Sequence, residues 1–435
     1  LEFKSCRPAI ANGLREEAEM SDQESGLQQY MELVYDCFGV DNEIHSENCY
    51  AVNAGPHMSV PFPQLPEDGM TVTYDRTTAL TYSSVRILQG IGAWDGMADE
   101  AAAVLSLHIA DYWAPQVLHV DPEQIGDHPY GYNVDNGAIR AALLDRIDAL
   151  PSVRHLAPAK VVGFERDGAR IGAITADGTT LSAQLLVGAD GRESPTRAWS
   201  GIPVRRWRYD QVAIVCTVRH ERPHEGVAVD HLMQSGPFAL VPMPDLPDGD
   251  HRSAIIWCER RADAPAYLAL PQAAFEAELQ RRCGDRLGRV RQVGRRFDYP
   301  LSGLHARRYV TDRLALMGEA AHAIHPIAAQ GLNLSMRDAA VLAEVVADGR
   351  RLGLDIGDAG LLRRYERWRR LDVMATIART DVFYRLFANI LPPLLAARSI
   401  GLAVVNRLTG LKRGIARDAM GLTGTLPRLI RGEAL

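Results

Sequence analysis

The chain has 435 residues, 47% of them hydrophobic and 23% charged, with a net charge of −6 at pH 7. That length supports two or three packed layers and two domains, the composition is that of a soluble globular protein, and the acidic balance argues against nucleic acid as a partner. The six scattered cysteines form no C-x-x-C pair, which argues against a redox dithiol or zinc site and points to a reducing, cytoplasmic compartment.

Residues 1–70 read as a divergent N-terminal segment, polar and weakly periodic, that closes on Pro61-Phe62-Pro63 and Leu65-Pro66 and is mostly loop. Leu1–Glu19 carries Glu2, Lys4, Arg7 and Arg15 and no apolar core, so no secretory signal is expected. The chain begins with Leu rather than Met, as a fragment or a misread start would. From Tyr74 the pattern becomes regular. Thr77–Ile91 has helical spacing, with Leu80, Ser84, Ile87 and Leu88 on one face. Asn136–Leu150 repeats it, with a cap at Asp135-Asn136 and a stop at Pro151. Val161–Phe164, Ile171–Ile174 and Leu185–Val187 read as strands separated by the turns Asp167-Gly168 and Asp177-Gly178. Val212–Val218, Phe238–Val241 and Ser253–Trp257 make the middle region strand-rich, and helical patterns return at Leu268–Cys283 and after Ser335.

Strand–helix alternation around an antiparallel block predicts an α/β cofactor domain (71–200 and 301–375) with an inserted sheet domain (201–300). The tail, 376–435, carries Arg398, Arg407, Lys412, Arg413, Arg417, Arg428 and Arg431 among apolar residues. It suits either an anionic lipid surface or a packed helix with a solvated basic face. Its most apolar window, Leu386–Val405, is interrupted by Pro392, Pro393 and Arg398, so no membrane span is expected.

Two stretches carry the chemistry. In the first, the apolar run Arg313–Met317 reads as a buried strand, Gly318–Asp338 (GEAAHAIHPIAAQGLNLSMRD) as a turn, and Ala339–Val346 as a helix. A turn entering a helix N-terminus presents backbone N–H groups and a positive dipole end to a ligand. In the second, Leu185–Gly188 runs into Asp190-Gly191, and Ser194-Pro195 suits the start of a helix. An Asp there can accept hydrogen bonds from ribose or ribityl hydroxyls, and glycines let a backbone approach a dinucleotide closely. Taken alone, Asp-Gly is an ordinary turn.

Together with Asp75–Leu80 and the ending Leu402–Arg431, these blocks resemble the group A flavoprotein monooxygenases, and among them the ubiquinone-biosynthesis hydroxylases that act on polyprenyl phenols. The resemblance runs from Tyr74 to the C-terminus. It implies an FAD/NAD(P)-binding domain of the p-hydroxybenzoate-hydroxylase type, an inserted antiparallel-sheet substrate domain and a helical C-terminal tail. It also implies FAD as cofactor, NAD(P)H as co-substrate, and O2-dependent ring hydroxylation of a polyprenylated phenol through a C4a-hydroperoxyflavin. An anionic membrane surface and other ubiquinone-biosynthesis proteins are the implied partners, with a peripheral position on the inner face of the membrane. Residue by residue, Asp190 and Gly191 are placed near the FAD pyrophosphate and ribityl region, with Arg197 anchoring that turn. Gly318 and Glu319 hold the ribityl chain, Glu319 standing where an Asp is usual. Pro326 lies beside the isoalloxazine ring; Gln330, Gly331, Leu332 and Asn333 offer backbone N–H groups to its N1–C2=O edge; and Arg76 lies near the flavin or its phosphates. A hydroxylase of another hydrophobic aromatic, and a flavin-free homologue serving as a scaffold, remain alternatives.

The chain also departs from the family. The strand–G-x-G-x-x-G–helix unit that grips the FAD pyrophosphate is missing, through either a sequence-level fault that leaves 1–70 foreign to the fold or a rebuilt FAD grip. Gly90-Ile-Gly-Ala-Trp-Asp-Gly96 follows a helical stretch and reads as a helix end. Ala329 stands at a usual Gly and costs roughly 1 kcal/mol if the site needs a positive φ. Ser335 also replaces a usual Gly. His322 and His325 read as loop-packing residues rather than metal ligands, since no carboxylate or Cys set completes them. No side chain is assigned as the catalytic acid or base.

Overall fold

The computed structural model describes residues 49–52, 76–111, 117–120, 128–246, 248–388 and 392–435. In the first half of the chain the elements are β1 (Cys49–Val52), β2 (Thr77–Thr81), α1 (Tyr82–Gly90), β3 (Ala101–Val104), β4 (Ser106–Asp111), β5 (Val117–Val120), β6 (Gly131–Asp135), α2 (Asn136–Asp148), β7 (Val161–Asp167), β8 (Arg170–Thr175), β9 (Thr180–Ala183), β10 (Leu185–Gly188) and α3 (Pro195–Trp199). There follow β11 (Val204–His220), β12 (Val227–Met233), β13 (Gly236–Pro242), β14 (His251–Arg260), α4 (Ala264–Leu268), α5 (Gln272–Cys283), β15 (Val290–Ala306), β16 (Val310–Thr311), β17 (Leu314–Leu316) and β18 (His322–Ala323). The chain ends in α6 (Gln330–Arg351), α7 (Ala359–Ala388), α8 (Pro392–Arg407), α9 (Thr409–Ala419) and α10 (Arg428–Arg431).

Two sheets position the site. The smaller has the order β1-β10-β17-β16. β1, β10 and β17 run parallel, and every residue of β10 and β17 is buried, as a parallel sheet covered on both faces requires. The larger, β18-β15-β11-β14-β13-β12-β4-β5, is antiparallel except where β12 meets β4. One face of it packs Ile214, Phe238, Ile255 and Trp257 against Phe275 and Leu279 of α5. The other face carries Tyr209, Ala213 and Cys258 and meets Tyr384 of α7. This sheet extends beyond 201–300: β4 and β5 join one edge, while β15 and β18 carry the other past Ala306.

Several elements differ from the reading of the sequence. Thr77–Thr81 is a strand paired with β6, and the helix starts only at Tyr82, because the β-branched residues find a partner strand. α2 matches its expected span, with the Asp135 carboxylate accepting the Gly137 N–H at 2.7 Å. β9 is a short polar strand that alternation did not reveal. α6 begins at Gln330, so half of the expected turn is already helix. The tail is partly inside the protein: Arg398 is buried and donates to the Leu386 and Phe387 carbonyls. Arg428 pairs with Asp348 at 2.8 Å, while Leu429 and Ile430 enter the main core. Within residues 1–70, only Cys49–Val52 is described, and it lies alongside β10 in parallel register; the rest of that segment lies outside the described residues.

Candidate active site

The two motifs occupy neighbouring strand ends. After β10, Asp190 turns inward and is fully buried. One carboxylate oxygen accepts the Ser194 hydroxyl and the other the Thr196 N–H at 2.8 Å. Burial raises its pKa, against the lowering effect of these bonds. Asp190 therefore shapes the turn from within. Gly191 has φ +76°, with open space where a Cβ would sit. Arg197 is buried and donates to the Ala320 carbonyl at 2.7 Å and the Arg192 carbonyl at 2.8 Å, tying this turn to the next.

After β17, Gly318 has φ +56°, and its N–H donates to Asp338 Oδ2 at 3.0 Å. His322 Nε2 donates to the same oxygen at 2.6 Å. From α7, Arg369 donates to Asp338 Oδ1 at 2.6 Å. All three side chains are buried. Burial alone would raise Asp338, but His322 and Arg369 override it and hold the carboxyl below its ordinary range. Asp338 and Arg369 thus lock the loop from behind; neither was assigned from sequence, because the partners lie on separate elements. Glu319 is exposed and pairs with Arg192 at 2.7 Å. Arg192 also donates to Ser302 at 2.7 Å. Arg76 lies over the Tyr299 ring, 4.4 Å from its centroid.

His325 is buried. Its Nδ1 accepts the Ile327 N–H at 3.2 Å, which leaves Nε2 to donate to Gln211 at 2.9 Å. It stacks on Tyr384 and meets Tyr209 edge-on. Burial pushes its pKa down to about 4, so it stays neutral and holds the loop against the large sheet. Pro326 opens a 3-10 turn, Pro326–Ala328. Ala329 follows with φ 50° and ψ 28°, the left-handed conformation in which its methyl group is strained.

α6 then starts with no side-chain cap. The Ala329 N–H is already bonded to the Pro326 carbonyl, and by helix geometry the Asn333 N–H finds the Ala329 carbonyl. Gln330, Gly331 and Leu332 are left presenting backbone N–H groups outward, and Gly331 is exposed with nothing near a would-be Cβ. The Asn333 side chain faces the other way. Its Oδ1 accepts the Thr81 N–H at 2.9 Å and the Ser84 hydroxyl at 2.7 Å, while its Nδ2 donates to the Ala79 and Ala329 carbonyls. A long, uncapped helix N-terminus with an open first turn fits the anionic N1–C2=O edge of a flavin ring. Beside it lies an apolar cleft lined by Leu232, Met233, Gly236, Pro237, Ile327, Tyr384 and Phe387, bounded by the large sheet, the Pro326 loop and α7.

A family model for the FAD binding domain matches residues 67–380. Ubiquinone hydroxylase UbiL of Rhodospirillum rubrum is 45% identical over 374 residues, covering 85% of this chain and 86% of that protein. The chain belongs to this family of FAD-dependent hydroxylases. Another relative, 3-demethoxyubiquinol 3-hydroxylase of Escherichia coli, is 31% identical and covers 80% of this chain and 87% of its own. Among solved structures, p-nitrophenol 4-monooxygenase from Pseudomonas putida superposes with a TM-score of 0.67 at 18% identity, over 91% of this chain and 95% of that one. The hydroxylase fold is thus of the expected p-hydroxybenzoate-hydroxylase type. A second family model, RNA polymerase recycling family C-terminal, matches residues 1–89. The two matches overlap at 67–89.

Proposed function

We propose that this hydroxylase acts on the aromatic ring of a polyprenylated phenol in ubiquinone biosynthesis, with NAD(P)H as electron donor and O2 as oxygen source. The observation that supports this reading is the apolar cleft opening beside the uncapped N-terminus of α6, in a chain 45% identical to a ubiquinone hydroxylase. When bound, FAD supplies the redox chemistry that couples NAD(P)H oxidation to oxygen transfer. The chain's own part is positioning and exclusion of water. Gln330, Gly331 and Leu332 would hold the ring edge through their N–H groups, Glu319 would face the ribityl chain with its charge balanced by Arg192, and Ile327, Tyr384 and Phe387 would keep the reacting ring dry.

The pyrophosphate end is different. β1 lies parallel to β10, but Asn53-Ala54-Gly55 follows it with a single glycine where the fingerprint has three. The test is to express the chain, measure bound flavin by visible absorption, and assay prenylphenol hydroxylation with NAD(P)H by mass spectrometry. Flavin-dependent product supports the reading; a folded, colourless protein that takes up no added FAD overturns it.

The tail supports a peripheral membrane position. Val382 of α7, Ile400 and Val404 of α8 and Leu411 of α9 are exposed, near the exposed Arg407 and Arg413, as on a helix lying in a lipid interface. No helix among the described residues is long and apolar enough to cross a membrane. Flotation with anionic vesicles tests the docking, with salt-sensitive binding expected and equal recovery on neutral vesicles counting against it.

A further inference from the structure

Nothing described so far activates the phenol. On β12, Met233 lines the apolar cleft at the strand end, and Leu232 lines it from the face turned away from α5. Side chains alternate along a strand, so Asp230, two residues earlier, shares its face. The next strand repeats the arrangement: Leu232 pairs with the cleft residue Pro237, and Asp230 pairs with Ala239. His231 points the other way, bonding the Arg282 carbonyl and lying near Phe238 in the α5-covered core. Across the sheet the Asp230 carboxylate acts on Cys258, which clusters with Tyr384, a cleft-lining residue.

Asp230 is a costly residue in this position. Its Oδ1 is sealed from solvent and has no hydrogen-bond partner, although the residue as a whole is only half-buried. An unpaired carboxylate removed from water opposes folding. No capping, salt-bridge or turn role accounts for it among the described residues. Asp230 stands one strand repeat from the cleft residue Leu232, and its Oδ1 lacks only a donor; a phenol hydroxyl is one.

We propose that Asp230 accepts the hydroxyl proton of a phenolic substrate bound in the cleft between β12, the Pro326 loop and α7. The proposal rests on the hydroxylase reading above. The step is a proton transfer alone. The phenol O–H bond breaks, an O–H bond forms on Asp230, and the pair left on the phenol oxygen enriches the ring carbons ortho and para to it. After oxygen insertion the ring loses its C–H proton to water and regains aromaticity, and the phenol oxygen recovers its proton from Asp230, which is thereby reset. Burial moves Asp230 up to about 7, close to the operating range that favours a general base. The titratable group that interacts with it is Cys258 from β14, raised by burial and neutral, and the same face is covered by apolar residues of the tail, Val405 of α8, Ala416 of α9 and Met420 just after it, packed with Ile109 and Ala228. β4 and β13 place Ile109 and Ala239 opposite it.

The test compares the wild-type hydroxylase with Asp230→Asn and Asp230→Leu. Thermal melts come first: both variants are expected to be at least as stable as wild type above neutral pH, where the unpaired charge is lost, and flavin content reports folding. Hydroxylation of a short-chain prenylphenol is then followed against pH. Wild type should gain rate as pH rises through about 7, and Asp230→Asn should lose roughly 100-fold in rate together with that rise. Binding of an alkylated nitrophenol, read from its visible phenolate band, gives a readout independent of turnover. Wild type should shift the bound probe's ionisation, and Asp230→Asn should abolish the shift. If Asp230→Asn hydroxylates at the wild-type rate with the same pH profile, Asp230 has no such role, and the hydroxylase reading survives. If wild type neither binds the nitrophenol nor hydroxylates the prenylphenol, the substrate reading fails and the proposal falls with it.

Discussion

Two strand–turn–helix units stand side by side on the parallel sheet, and they face their surroundings in opposite ways. In β10–α3 the turn is closed: Asp190 and Ser194 are buried, and both carboxylate oxygens are engaged within the turn. The helix that follows has five residues. In β17–α6 the turn is open. A 22-residue helix starts without a side-chain cap, and the buried His322, Asn333 and Asp338 bond to partners behind it. A closed turn fixes geometry; an open one keeps N–H groups for a ligand. The open unit can remain open because its support comes from behind, through Asp338 to Arg369 and Asn333 to Thr81 and Ser84.

Breaking that rear support should have the largest effect. Asp338→Ala leaves Arg369 without its central partner in a fully buried site and is expected to cost about 3–5 kcal/mol by urea unfolding. The pH dependence has a definite sign. Asp338 is held below its ordinary range, so its contribution is fully present above the unfolded carboxylate value and is lost as pH falls through the lowered folded one. Asp338→Asn should therefore flatten the acid limb of a stability–pH curve. Asn333→Ala strands the Thr81 N–H and is expected to cost about 1–3 kcal/mol, with bound flavin falling in the same preparations.

Ala329→Gly tests the turn itself. Ala329 sits at φ 50°, and relieving it should stabilise the fold by up to about 1 kcal/mol and tighten flavin binding in a fluorescence titration. The smallest effect is expected where the two units touch at the surface. Arg192→Ala removes the half-exposed pair with Glu319, worth about 0–1 kcal/mol and less in high salt. A large loss there would show that the closed unit directly supports the open one.

Much of this was legible locally. β10 and β17 are apolar runs, α2 carries its own cap at Asp135, and the meander β7-β8-β9 announces its turns with Asp167-Gly168 and Asp177-Gly178. The start of α6 was not legible, because Gln330–Ser335 lacks an apolar stripe and is made helical by tertiary support at Asn333. β4 and β5 escaped because their place in the large sheet depends on β12, more than 100 residues away. The inward bonds of Asp190 to Ser194 and Thr196 were not legible either, since sequence cannot say which way a turn carboxylate points.

The sequence alone determined the family, and it marked the start of α6 as the proposed flavin-ring floor, because backbone N–H groups at a helix start follow from chain order. It also marked Ala329 as a position that is strained if φ is positive, and φ is 50°. Only the tertiary structure decided which polar side chains face inward and which remain without partners. Asp338 found Arg369, Asp190 found Ser194, and Asp230, on a strand with no motif of its own, was left beside the cleft with an unmatched oxygen. Burial and partnership arise from segments far apart in the chain, and these set the charge states on which the chemistry depends.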